Sequence, residues 1–298
     1  MLDWKLQTLV IALFLASVFG LLAPPLQNGV RGLLRARPSL VWGVPFLLTA
    51  AFSGAAALAG AFSVALMLMV LAYTLAPVLC VVLAGRGEQK RPPVLDLAAI
   101  LLLWLPLEFA AGGSLVPRPA QGFLHSVGYG VAILLGLVLF LGYRAFPGMK
   151  YNLPRSRRDL WLPLAGFVLV APILVVVGIA IGFIPMPQLP VQSGGRMAAA
   201  VGIIFAGTAV PEEILFRALI QNWLMQRLGR NWRTLLLASI IFGAAHLDNG
   251  PQAAPNWRYM IEATVAGFAY GKVFDTGSSV LSSAALHAMV DWTKHFFF

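Results

Sequence analysis

Charge is what this sequence has least of. Only 11% of its residues are Asp, Glu, Lys or Arg, where a soluble domain carries about 25%. A soluble fold of 298 residues could bury a large core, but it would still need a charged surface to face water. Cysteine is nearly absent too. Cys80 is the only one and lies in an apolar run, so no internal disulfide is available. Acidic residues number 11 against 21 basic ones, a net charge of +10. In a soluble protein that imbalance would point to nucleic acid. Here the basic residues fall between hydrophobic runs, so they read as topology signals and no nucleic-acid partner is expected. Low-complexity tracts are missing as well.

Long hydrophobic runs fill the space that charge leaves. About 20 apolar residues span the hydrocarbon core of a bilayer. The chain has about ten such segments, at 6–23, 39–60, 62–84, 94–113, 125–146, 160–184, 197–226, 233–247, 258–274 and 279–293. Backbone groups in lipid must be satisfied within the segment, so these are expected as helices, and short alternating strands are absent. The expected fold is an all-α, polytopic membrane protein with about ten transmembrane segments. Its longest polar stretch, Pro147–Asp159, divides an N-terminal membrane region of unknown role (1–150) from a C-terminal one (151–298).

Lys and Arg set the expected orientation. With the N-terminus outside, the inner loops hold Arg31, Arg35 and Arg37; Arg86, Lys90 and Arg91; Arg144, Lys150, Arg155, Arg157 and Arg158; Arg227, Arg230 and Arg233; and Lys272. The outer side keeps Lys5, Arg118, Arg196, Arg258 and Lys294. That bias is the positive-inside pattern. Reading residues 1–23 as a cleaved signal peptide would leave the Arg31–Arg37 loop outside, against that pattern.

Ionisable groups inside spanning helices are costly and are usually paired or functional. Glu108 and Glu262 are lone carboxylates, whose plain reading is a hydrogen-bonded structural residue. The C-terminal half is denser. Glu212, Glu213 and Arg217 lie on segment seven, His246 at the end of segment eight, and His287 and Asp291 on segment ten. Glu213 and Arg217 are four apart and share a helix face, as do His287 and Asp291. Glu212 points about 100° away from Glu213, free to face a cavity. Pro211 fits the first turn of a helix, and a break before it would aim N–H groups at a forming anion. Gly267 and Gly271 make a GxxxG packing pattern. Taken singly, each cluster could be a structural pair or a satisfied core histidine. Jointly, two His and three carboxylates on three helices are best explained by a shared water-filled cavity.

At these residues the sequence resembles the CAAX-protease and bacteriocin-processing family of intramembrane proteases, which includes type II CAAX prenyl endopeptidases. The family's Glu-Glu-x-x-x-Arg matches Glu212, Glu213 and Arg217, with Phe216 in the usual place. Its Phe-x-x-x-His matches Phe242 and His246, and its His-x-x-x-Asn/Asp matches His287 and Asp291. The run with Tyr270 and Thr276-Gly277-Ser278 looks like the family's approach to the third motif. The resemblance covers roughly residues 160–294. It implies an endopeptidase in a membrane, a bacterial inner membrane being expected, acting on a membrane-associated protein or peptide. The better-understood prenyl endopeptidases carry Asn where this chain has Asp291.

No serine or cysteine stands beside the His motifs as a nucleophile. Carboxylate and histidine acting on water fit better, and the resemblance implies the same. Glu212, assisted by His246, is expected to activate water. His287 would donate to the oxyanion, oriented by Asp291, while Glu213 and Arg217 fix the helix and tune Glu212. No cofactor is expected. The alternative is zinc on Glu212, His246, His287 and Asp291, although the His-Glu-x-x-His zinc motif is absent. Competing functions are a non-enzymatic immunity or scaffold protein that keeps the fold, or a proton-coupled transporter.

Overall fold

The computed structural model describes residues 4–86, 91–250 and 254–298. Among them the chain is all-helical, 78% helix with no strand. Each of the ten apolar segments carries a helix. These are α1 (Trp4–Gly20), α3 (Pro38–Leu58), α4 (Val64–Ala84), α5 (Val94–Glu108), α6 (Arg118–Tyr143), α7 (Arg157–Ala180), α8 (Gly194–Leu228), α9 (Trp232–Ala244), α10 (Trp257–Thr276) and α11 (Val280–Phe297). An eleventh helix, α2 (Pro24–Ala36), follows α1 at a bend of 83°. Five helices are long and apolar enough to cross a bilayer by length and composition, or six spans if α1 and α2 count as one. The other expected crossings fall on shorter helices, α5 and α9, or on helices with more polar residues, α10 and α11.

Two compact units divide the chain, residues 1–147 and 148–298. In the first, helix α2 occupies what the charge pattern reads as an inner loop. Pro24 and Pro25 start it where a missing N–H costs nothing. A Cβ on Gly142 would fall 2.9 Å from Val30 and 3.0 Å from Leu34, so the apolar side of α2 packs on the end of α6. Arg144, also read as a topology charge, is buried. Its guanidinium grips Asp96 of α5 with both carboxylate oxygens engaged, at 3.1 and 2.8 Å. Lys90 of the same expected inner side lies outside the described residues. Glu108 accepts a hydrogen bond from the Trp104 indole at 3.0 Å, the structural role expected of a lone carboxylate. A cavity of about 670 Å³ lies among α3, α4, α5 and α6, walled by residues such as Phe52, Val70 and Val131.

The second unit is built to hold α11. Ser156 and Asp159 form a capping box at the start of α7. Asp159 also accepts from the backbone N–H of Ser278 at 2.7 Å and from its hydroxyl at 2.6 Å, which ties α7 to the α10–α11 turn. Lys150 closes that turn from the other side. Its ammonium donates to the carbonyls of Phe274, Asp275 and Gly277 at 2.7, 3.0 and 2.8 Å, satisfying the last carbonyls of α10. Burial, then the nearby Arg230, lowers the Lys150 pKa from its usual value, with Asp275 and Asp159 opposing.

Close helix approach completes the unit. A Cβ on Gly243 of α9 would sit 2.5 Å from the Met260 carbonyl of α10. On Gly267 it would sit 2.8 Å from Phe242, and on Gly271 2.6 Å from Leu235. The Gly267–Gly271 pattern therefore lets α10 press against α9, as its spacing implies.

Candidate active site

Helix α8 carries the first motif at its middle. It runs 35 residues, about 50 Å at 1.5 Å per residue, against a hydrocarbon core of about 30 Å. It does not break before the glutamates. Instead it widens into π turns at Phe205–Ala209 and again at Ile214–Gln221, on either side of Val210–Glu213. Pro211 lacks an N–H to give to the preceding turn, and the π turn takes up that gap. The expected helix N-terminus, with its free N–H groups aimed at an anion, is therefore not formed. π segments inside α-helices are frequent at functional sites.

Glu213 is the hub. Both its side chain and that of Arg217 are fully buried, with Arg217 Nε donating to Glu213 Oε2 at 3.1 Å. The other oxygen, Oε1, lies 3.1 Å from His287 Nδ1 on α11. Glu213 thus holds a helix partner and a histidine 74 positions away at once. The guanidinium of Arg217 lies over the Phe242 ring at 4.8 Å and reaches Gln221 Oε1 at 3.4 Å. Gln221 in turn donates to the Gly271 carbonyl at 2.9 Å. Gln221 lies outside the three motifs, although it continues the four-residue step from Glu213 to Arg217.

His287 is enclosed by carboxylates. Its Nε2 lies 3.3 Å from Asp291 Oδ2 and 3.8 Å from Glu212 Oε2. With Nδ1 on Glu213, both nitrogens face acceptors, an arrangement an imidazole satisfies fully only when both carry protons. The Nε2 distances exceed the 2.7–2.9 Å of a committed charge-assisted bond, so Nε2 keeps reach toward a further acceptor. Tyr270 stacks on the ring at 4.6 Å with the planes 19° apart, fixing its orientation.

His246 stands in the turn that ends α9. Its Nδ1 lies 2.8 Å from the Phe242 carbonyl, which can only accept. In the neutral ring the proton is therefore on Nδ1, and Nε2 keeps a lone pair. The Tyr259 ring packs edge-on at 4.6 Å. His246, His287 and Asp291 line one cavity of about 70 Å³, room for a few water molecules. Glu262 and Lys294 line it too.

All six residues of the three motifs therefore belong to one unit. Glu212, Glu213 and Asp291 surround His287; of the motif residues His246, His287 and Asp291 line the cavity, and Glu212 reaches His287 from outside its wall. Among the described residues no group of three or more His, Cys, Asp or Glu is arranged to hold a metal ion. A zinc ion on His287 would have to displace a carboxylate from one of its nitrogens.

Residues 194–293 match the family model described as Type II CAAX prenyl endopeptidase Rce1-like. The resemblance carried by the three motifs is borne out. Over this stretch the chain is similar to a CAAX-type intramembrane endopeptidase, and its apolar helices fit an integral membrane protein. The match spans α8 to α11 and leaves α1 to α7 outside it. No curated protein and no solved structure matches the chain.

Proposed function

We propose that the C-terminal unit hydrolyses a peptide bond of a membrane-associated protein or peptide, using a water molecule activated by carboxylate and histidine. The observation that carries this reading is the arrangement around His287: three carboxylates converge on one imidazole beside a cavity that His246 also lines. Glu212 is the general base, and the proton it takes from water passes to the departing amine as the C–N bond breaks. Of the three carboxylates it holds His287 at the longest distance, 3.8 Å, and so is least committed to it. The Nε2 lone pair of His246 supports the same water. As the tetrahedral intermediate forms, the Nε2–H of His287 turns to the oxyanion. Asp291 and Glu213 keep the imidazole charged and oriented, and Arg217 anchors Glu213.

The mechanism we assign needs no metal. The distribution of its basic residues supports an N-terminus outside, and a bacterial inner membrane is the setting expected from the family resemblance. Glu212→Gln is expected to lower cleavage about 10²–10⁴-fold while abundance in the membrane stays normal. Wild-type cleavage is expected to persist after exhaustive chelation. New protein termini in membrane proteomes from cells with and without the gene supply the substrate and the readout. Normal processing by Glu212→Gln would overturn the peptidase reading. Activity lost to chelator and restored by zinc alone would overturn the metal-free mechanism.

A further inference from the structure

Glu262 on α10 has no part in the mechanism above, yet it lines the same cavity. It is only 6% exposed, and its Oε2 is buried without a hydrogen-bond partner among the described residues. It lies against Gly178 of α7, where a Cβ would strike Oε1, so the chain leaves room for it there. Buried acceptors are nearly always matched with a donor. One left open at a cavity wall points to a donor that arrives with a ligand.

Lys294 on α11 is the second open group of that wall. Its ammonium rests over the rings of Tyr259 and Phe183, at 3.9 and 4.5 Å from their centroids. Asp291 and Glu262 act on its charge at longer range, but no ion pair joins it to either among the described residues. A carboxylate and an ammonium therefore line one small cavity without closing on each other. A cationic ligand group would meet repulsion from Lys294, and an anionic one would meet it from Glu262. A neutral group with one donor and one acceptor suits both, and each non-proline peptide unit is such a group.

We propose that Glu262 and Lys294 clamp a backbone peptide group of the substrate, Glu262 accepting its N–H and Lys294 donating to its C=O. This rests on the peptidase reading of the site and adds to it a recognition mode. The clamp reads backbone and not side chain, so it positions an extended segment beside His246 and His287 whatever its sequence.

The test uses the full-length Glu212→Gln protein in detergent, which binds without cleaving, so failure of the clamp and failure of the peptidase reading are separate results. Fluorescence anisotropy follows a fluorescein-labelled Ala/Leu peptide, and the same peptide N-methylated at each backbone nitrogen in turn. The parent is expected to bind, and one N-methylated form to bind at least about tenfold more weakly. Adding Glu262→Leu should weaken the parent by a similar factor and abolish the further effect of that N-methyl group. Glu262→Gln, which keeps a carbonyl acceptor, should restore binding. Lys294→Met, on a different helix, is expected to weaken the parent similarly and keeps the test open if Glu262→Leu does not fold. Equal binding of every N-methylated form would overturn the proposal. So would unchanged binding by Glu262→Leu or Lys294→Met, or no binding of the parent at all, since a backbone clamp does not depend on side chains.

Discussion

Each unit buries an arginine against a carboxylate, and the two pairs differ in what they leave over. In the N-terminal unit Arg144 takes both oxygens of Asp96, so the carboxylate is spent within the pair. In the C-terminal unit Arg217 takes one oxygen of Glu213, and the other goes to His287. His287 then passes the connection to Asp291 and Glu212. A closed pair cancels its own charge and holds helices together. An open one transmits orientation to a group at a cavity, which is what chemistry requires. The cavities follow the same division: both have mostly apolar walls, but the N-terminal one is large, while the C-terminal one is small and adds His246, Glu262, His287, Asp291 and Lys294.

Breaking both pairs tests that contrast most severely. Removing one partner of a buried ion pair costs about 3–5 kcal/mol, so Asp96→Asn and Glu213→Gln should both lower the unfolding temperature in detergent. They should part in cleavage per folded molecule. Asp96→Asn is expected to keep it, whereas Glu213→Gln should lose about a hundredfold, because a carboxamide has one acceptor oxygen for the two donors Arg217 Nε and His287 Nδ1 and no charge to hold the imidazolium. An equal loss of specific activity in both variants would end the distinction between a closed and an open pair.

A milder change sharpens it. Asp291→Asn leaves a carbonyl oxygen to accept from His287 Nε2, so cleavage is expected within about tenfold of wild type, against about a hundredfold loss for Asp291→Ala. Single-turnover rates with one substrate compare the two. If Asn loses as much as Ala, about a hundredfold, the charge of Asp291 matters and its hydrogen bond alone does not suffice.

The smallest effect is expected at Lys150. Lys150→Met removes three hydrogen bonds to the end of α10, a net loss of about 1–3 kcal/mol, with cleavage per folded molecule unchanged. Thermal unfolding beside a rate measurement checks it. A lower rate without lower stability would show that the α10–α11 turn reaches into the chemistry.

Much of this was legible in the residues. Ten apolar runs gave ten helices, because lipid permits few other solutions for the backbone. Glu213–Arg217 and His287–Asp291 were legible because a helix brings positions four apart together. Three features were not legible, each where packing added to a local rule. The Arg31–Arg37 segment is taken up largely by α2, since Pro24 and Pro25 can start a helix and Val30 and Leu34 found a surface to cover. Arg144 is buried and paired, because Asp96, 48 positions earlier, answers its charge. Pro211 does not start a helix, because a π turn absorbs its missing N–H.

The sequence by itself determined that this chain is helical, that it belongs in a membrane and that its polar chemistry is gathered in the C-terminal half. It also determined the two pairs one helical turn apart. Only the tertiary structure decided that Glu213 spans from Arg217 to His287, that Tyr270 lies under the imidazole, and that Glu262 and Lys294 share the wall of one cavity. The reason is range. Helix geometry places residues three or four apart from their spacing alone, whereas the partners that make this site are separated by tens of positions and meet only where close-packed helices, through Gly243, Gly267 and Gly271, bring them together.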